Sequence, residues 1–210
     1  MKQFDRPRQA LAIGLAALAG FVDAFGFLSA DGFFVSFMSG NTTRLAVSLY
    51  TDPWFAVIPA LLLFGFVVGV AIGAVAAERA GARRKLATLL LVGALLAVAA
   101  LCRMAGYEAA MLAALVLAMG ALNNTFRRNG EVAIGLTYMT GALVRLGQSI
   151  AARLMGERGE GAGATFLLWA GLALGAVMGA GAFHSVPAAA PWIASAWAFV
   201  MAAFSTRLPN

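Results

Sequence analysis

The chain has 210 residues, 62% of them hydrophobic and 11% charged, against about 45–50% apolar and 25% charged in an ordinary soluble domain. A water-soluble globule cannot hide that much apolar surface. The surplus of base, 15 Lys+Arg over 9 Asp+Glu, does not mark a nucleic-acid binder, because it sits at the ends of apolar runs and forms no stripe on a soluble face.

Crossing a hydrocarbon core of about 30 Å takes about 20 apolar residues in a helix. Six charge-poor runs approach that length: 10–28, 54–77, 86–102, 109–126, 164–183 and 186–204. The first carries one acid, Asp23, and follows Lys2, Arg6 and Arg8, a beginning it shares with secretory leaders. The acid and a matching segment later in the chain favour a mature span. The fourth run ends in the polar pair Asn123 and Asn124. Cys102, the one cysteine, excludes an intrachain disulfide and a cysteine-based zinc cluster, and reads as a small buried hydrophobe.

Short cytoplasmic loops collect Lys and Arg. With both termini inside, thirteen basic residues fall on the cytoplasmic side, in the N-terminal segment, around 79–85, between 127 and 158, and at Arg207; Arg44 and Arg103 fall outside. That bias predicts the orientation, provided the segments after spans one and four do not cross. If both crossed, the chain would have eight spans with Arg79 to Lys85 outside, against the bias.

The chain repeats itself. FMSGNTTRLAVSL (37–49) aligns with YMTGALVRLGQSI (138–150) at a spacing of 101, pairing Met38 with Met139, Ser39 with Thr140, Gly40 with Gly141 and Arg44 with Arg145. The same spacing pairs Leu11 with Leu112, Ala17 with Ala118, Asp23 with Asn124 and Phe25 with Phe126. After a short insertion, Gly65, Gly69 and Gly73 match Gly171, Gly175 and Gly179. Glycines four apart line one helix face and admit a second backbone, which is how membrane helices pack. The predicted fold is an all-α membrane protein, one membrane domain over 1–210, with repeat one at 9–102 and repeat two at 109–204. Three crossings per unit is an odd number, so the six transmembrane helices form two inverted repeats, each with a broken or re-entrant polar segment, the plan of many secondary transporters.

Each polar segment reads as a break followed by a helix. Gly40 or Gly141 frees the backbone, and Ser39, Asn41, Thr42 or Thr140 can cap its first amides. In the second copy an apolar stripe (Leu143, Leu146, Ile150, Leu154) opposes Arg145, Gln148 and Arg153, an amphipathic pattern. Arg44 and Arg145 fall near the helix starts, where a cation is mildly disfavoured and needs an anionic partner. Asp23 is the acid well inside a span. It is either the partner of Arg44 in an ion pair or a protonatable or ion-binding group on a path. Since Asp23 becomes Asn124 and Asn41-Thr42-Thr43 becomes Ala142-Leu143-Val144, the site is expected mainly in the first copy, drawing on Asp23, Ser39, Asn41, Thr42, Arg44, Asn123, Asn124, Thr140, Arg145 and Gln148. Arg44 and Arg145 with helix amides are the alternative, a cradle for an anionic group.

Other chemistry is thin. His184 has no imidazole or cysteine companion, so neither a metal site nor a catalytic group is expected, and no cofactor. Trp54, Trp192 and Tyr107 near span ends read as interfacial anchors.

At GFVDAFGFL (20–28), FMSGNTTRLA (37–46) and LNNTFRRNGEVAIGLTYMTGALVRLGQ (122–148) the chain resembles the YoaK-like family of bacterial inner-membrane proteins, a group whose domain is of unknown function. The resemblance implies a compact multispan protein of about this size and brings no substrate with it. The leading expectation is a small-solute or ion transporter or channel subunit in the inner membrane, homodimeric if six helices leave too little room for a gated path. The alternative is a membrane scaffold or partner subunit whose motif residues only brace the fold.

Overall fold

The computed structural model describes residues 6–128, 131–132, 136–137, 139–156 and 161–208. Of the residues singled out above, Lys2, Tyr138 and Arg158 lie outside these. Eight α-helices are present among the described residues: α1 (Arg6–Ser29), α2 (Met38–Thr51), α3 (Val57–Ala80), α4 (Arg84–Met104), α5 (Glu108–Leu122), α6 (Met139–Leu154), α7 (Ala162–Ser185) and α8 (Ala190–Ser205). A single turn of 3₁₀ helix (Gly81–Arg83) joins α3 to α4, and a two-residue antiparallel ladder, β1 (Arg127–Arg128) with β2 (Glu131–Val132), follows α5.

Three helical stretches are long and apolar enough to cross a membrane: Arg6–Ser29, Val57–Met104, which contains α3 and α4, and Ala162–Ser185. The apolar helices Glu108–Leu122 and Ala190–Ser205 are shorter. The fourth apolar run thus ends in helix at Leu122, four residues early, because Asn123 and Asn124 form a buried turn. The sixth begins at Ala190, after a turn through Pro187.

The outer surface is inside out. Leu61, Phe64, Val67 and Val75 on α3 and Leu174 and Val177 on α7 are exposed, and contiguous apolar patches of this kind on a monomer call for lipid. The faces these helices turn inward are glycine. At Gly175 an added Cβ would collide with the Ala17 carbonyl, at Gly179 with that of Phe21, and at Gly69 with that of Leu117. The backbones of α7 on α1, and of α3 on α5, therefore touch directly, and side-chain packing plus the absence of a Cβ does what water-driven burial does in soluble proteins.

The order of these contacts gives direction. Gly171, Gly175 and Gly179 meet Ile13, Ala17 and Phe21 in turn, so α1 and α7 run the same way; Gly65, Gly69 and Gly73 meet Val116, Leu117 and Ala121, so α3 and α5 do too. In the α4/α8 pair the order reverses: Trp192 lies on Met104 (Nε1 to Sδ 3.4 Å), while Ser195 donates to the Gly93 carbonyl at 2.9 Å and Phe199 packs over Gly93. The core lies between these pairs, centred on α1 and α5, with Leu11, Leu15, Leu18, Phe25, Met111, Leu115, Met119 and Leu122 closed to solvent. Helices α2 and α6 hang at its edge, each with one buried residue, Asn41 and Ala142, which are matched positions in the two copies.

Candidate functional site

The turn after α1 builds the first half of the site. Asp31 and Gly32 take left-handed backbone angles (φ 49° and 91°), and the Gly32 amide donates to the Phe27 carbonyl at 2.8 Å. Glycine is suited to that conformation, and the chain doubles back as a strap over 33–37. Val35, fully buried, seats against Gly26, where a Cβ would stand 2.6 Å from Val35 Cγ1. The Asp23 carboxylate accepts the amides of Val35 (2.9 Å) and Ser36 (2.7 Å). From the other side, Asn41 of α2 accepts the Phe34 amide at 3.0 Å and donates to the Phe34 carbonyl at 2.6 Å. A carboxylate that must stay inside a span is held by backbone donors, which satisfies its lone pairs without a second charge.

The Asp23–Arg44 ion pair, one of the two arrangements the sequence offered, is absent. The Arg44 guanidinium instead lies among the rings of Phe33 (5.1 Å to the centroid), Phe27 and Phe34 (6.0 Å each). A delocalised, weakly hydrated cation packs on ring faces at modest desolvation cost, while the amides of the strap saturate Asp23 first.

At the described residues of the second copy the bonds are different. Leu136, fully buried like Val35, precedes Thr137, which matches Ser36 at the repeat spacing. The Thr137 hydroxyl donates to Asn123 Oδ1 at 3.4 Å, and Asn123 Nδ2 donates to the Met119 carbonyl at 3.0 Å. Asn124, the counterpart of Asp23, donates to the Val70 carbonyl on α3 at 3.0 Å and sits over Gly73. An amide can donate where a carboxylate cannot, so the exchange of Asp for Asn redirects this residue from a strap to a neighbouring helix.

Residues 36–39 and the described residues that match them share one space. A cavity of about 310 Å³ is lined by Ser36, Phe37, Met38 and Ser39 from the start of α2, by Thr137, Met139, Thr140 and Gly141 from the start of α6, and by Phe66 near the middle of α3. Matched residues (Ser36 with Thr137, Ser39 with Thr140, Met38 with Met139) thus line one space where α2 and α6 begin.

Of the residues expected at the site, Ser39 and Thr140 line this cavity. Asn41, Asn123, Asn124 and Asp23 stand behind it and bond to backbone. The structure does not bring Thr42, Arg44, Arg145 or Gln148 to it: Thr42 donates to the Met38 carbonyl (2.9 Å) on an exposed face, and Arg145 and Gln148 are exposed along α6. The two arginines do not converge into an anion cradle. The expected side-chain cap at the start of α2 is also missing, since Phe37 is the cap residue and Asn41 turns back to Phe34. Sequence reading passed over Ser36, Thr137, the two methionines and Phe66. The hydroxyl pair repeats at the same spacing one residue upstream of the quoted motif, so a signal existed; Phe66 lies in a charge-free run and gave none.

A family model for a protein of unknown function, DUF1275, matches residues 11–204. A Rhizobium meliloti (strain 1021) protein described as a UPF0700 transmembrane protein is 38% identical over 202 residues, covering 96% of this chain and 87% of the relative. No solved structure matches. With long apolar helices, a lipid-facing exterior and this match over nearly its whole length, the chain is a membrane protein and belongs to the DUF1275 family.

Proposed function

We propose that this protein is a carrier or channel subunit for a small solute or ion in the bacterial inner membrane, with its site between two inverted three-helix repeats. The observation that carries the reading is the cavity of about 310 Å³ lined by matched residues of the two copies, Ser36 with Thr137, Met38 with Met139 and Ser39 with Thr140. Helices that begin at a shared space within the protein are a device by which transporters present polar groups to a solute without exposing them to lipid.

Helix direction supports the inverted arrangement. With α1 parallel to α7, α3 parallel to α5, α4 against α8, and short turns joining α3 to α4 and α7 to α8, the helices α1, α3 and α4 run opposite to α5, α7 and α8. In this reading α2 and α6 enter and leave on their own sides of the membrane, and both termini are cytoplasmic.

The test is solute flux in proteoliposomes, screened across small neutral, anionic and cationic solutes. Ser39→Leu with Thr140→Leu, which fills the cavity from both copies, is expected to abolish flux while insertion and melting temperature hold. Undiminished flux in the filled variant, or no flux of any solute in the parent, would sink the reading. The scaffold alternative is favoured by one observation: Asp23, Asn41 and Asn124 are engaged with backbone groups, as bracing residues would be. A protein that holds its shape and carries nothing would leave that alternative standing.

A further inference from the structure

A second space, unrelated to the hydroxyl-lined cavity, lies where α1 ends and α3 and α5 begin. It is a groove of about 750 Å³ with walls of Ile58, Leu61, Leu62, Leu112 and Val116, within the range of about 300–1,000 Å³ typical of small-molecule sites. We propose that it binds a membrane lipid whose headgroup carries an ammonium and a phosphate, as in phosphatidylethanolamine, with an acyl chain laid along α3 and α5.

The apolar walls account for the tail. Ile58 and Leu61 are exposed on the surface that faces lipid, so a chain enters from the bilayer without crossing water. The mouth accounts for the head. Asp31 and Glu108 both border the groove, one just past the end of α1 and the other the first residue of α5, which puts them at headgroup level. Asp31 has no ion-pair partner among the described residues. Glu108 also holds Arg103, which is not itself in the groove wall, through one contact of 3.2 Å; a guanidinium has five donors, and in the proposed complex the phosphate takes one of those Glu108 leaves. Asp31 and Glu108 can meet the ammonium of a zwitterion, whereas a headgroup that is only anionic offers the acids nothing; the Arg44 guanidinium, beside Gly32, is turned to the rings of Phe27, Phe33 and Phe34.

Two further details point the same way. The Ser29 hydroxyl, in the wall of the groove, is buried without a hydrogen-bond partner, and a buried polar atom of that kind calls for a ligand or water to complete it; an ester oxygen of the lipid does so. The acids are also not part of the repeated scaffold: at the spacing of 101, Asp31 falls on Val132 and Glu108 on Pro7.

The experiment uses the full chain in nanodiscs of phosphatidylglycerol, doped with a lipid that carries a photoreactive group on its acyl chain. One probe has the ethanolamine headgroup and the other the glycerol headgroup, and cross-links are mapped by mass spectrometry to 58–65 and 112–117. The ethanolamine probe is expected to label the groove about tenfold more strongly, the discrimination one charged hydrogen bond provides. Asp31→Asn with Glu108→Gln should equalise the two probes, and Ala113→Trp, which fills the groove from an exposed position, should remove labelling by both. Asp31→Asn alone, at an exposed turn that asparagine adopts readily, must already reduce the preference, which guards against a double variant that does not fold. Equal labelling by both probes in the parent protein means ordinary shell lipid and overturns the proposal, as does a preference that survives loss of the acids.

Discussion

Asp23, in the body of α1, holds the amides of Val35 and Ser36 at 2.9 and 2.7 Å, so the acid that interrupts the first span is also what ties down the strap leading into α2. Asp23→Ala leaves two amides in a low-dielectric setting without an acceptor, a loss of about 1–3 kcal/mol for each. Asp23→Asn keeps an acceptor oxygen and should lose less than half as much. Thermal unfolding in maltoside detergent checks the order, and an alanine variant as stable as the parent would remove the tether from the account.

The α1/α7 contact tolerates no side chain at Gly175, where a Cβ would strike the Ala17 carbonyl. Gly175→Ala should therefore force the helices apart and cost about 3 kcal/mol or more. Gly181, on the same helix with nothing within 4 Å of an added Cβ, is the control: Gly181→Ala should be neutral or slightly stabilising, since alanine is the better helix former. Melting temperatures that fall equally in the two would mean that the close approach does not hold the pair together.

Arg44 is caged by Phe27, Phe33 and Phe34. Arg44→Gln should cost about 1 kcal/mol, in keeping with a partly exposed cation–π contact. Arg44→Lys should recover only part of this, because an ammonium stacks poorly and is more strongly hydrated. Full recovery by lysine would indicate that charge alone matters there, and the ring cage would lose its role.

Asn41 is fully buried and both accepts from and donates to the backbone of Phe34. Asn41→Ala removes both bonds and should destabilise by about 1–3 kcal/mol. Asn41→Asp should not rescue, because the donor at 2.6 Å is lost and a carboxylate would face a carbonyl. Protease sensitivity of the strap, read beside the melting temperature, distinguishes local loosening from global loss; an aspartate variant that behaves like the parent would contradict the bonding described.

The turn between α3 and α4 decides the topology. In a Cys102→Ala background, Ala82→Cys places a thiol at an exposed position of that turn. A membrane-impermeant maleimide should label it only from the cytoplasmic side. Labelling from outside would mean that the polar segments cross fully and would discard the six-span reading.

Much of this molecule was legible in its letters. The apolar runs, the repeat at a spacing of 101 and the glycine triplets needed only composition and periodicity, because a bilayer demands long runs without charge and a duplicated unit keeps its register. Even the close-contact glycines could be named, since a bare backbone face four residues apart has few other uses in a membrane helix. The roles of the polar residues were not legible in the same way. Asp23 and Arg44 have opposite charges one segment apart, and the sequence left an ion pair and an ion-binding Asp23 both open; which of them met amides and which met rings depended on a strap that doubles back after Gly32. The cavity shared by Ser39 and Thr140, and the groove bordered by Asp31 and Glu108, join residues far apart in the chain. Local pattern determined that this chain suits a bilayer and repeats a segment at a spacing of 101; only the three-dimensional packing of α2 and α6 beside the other six helices decided which polar groups brace the fold and which are left facing open space.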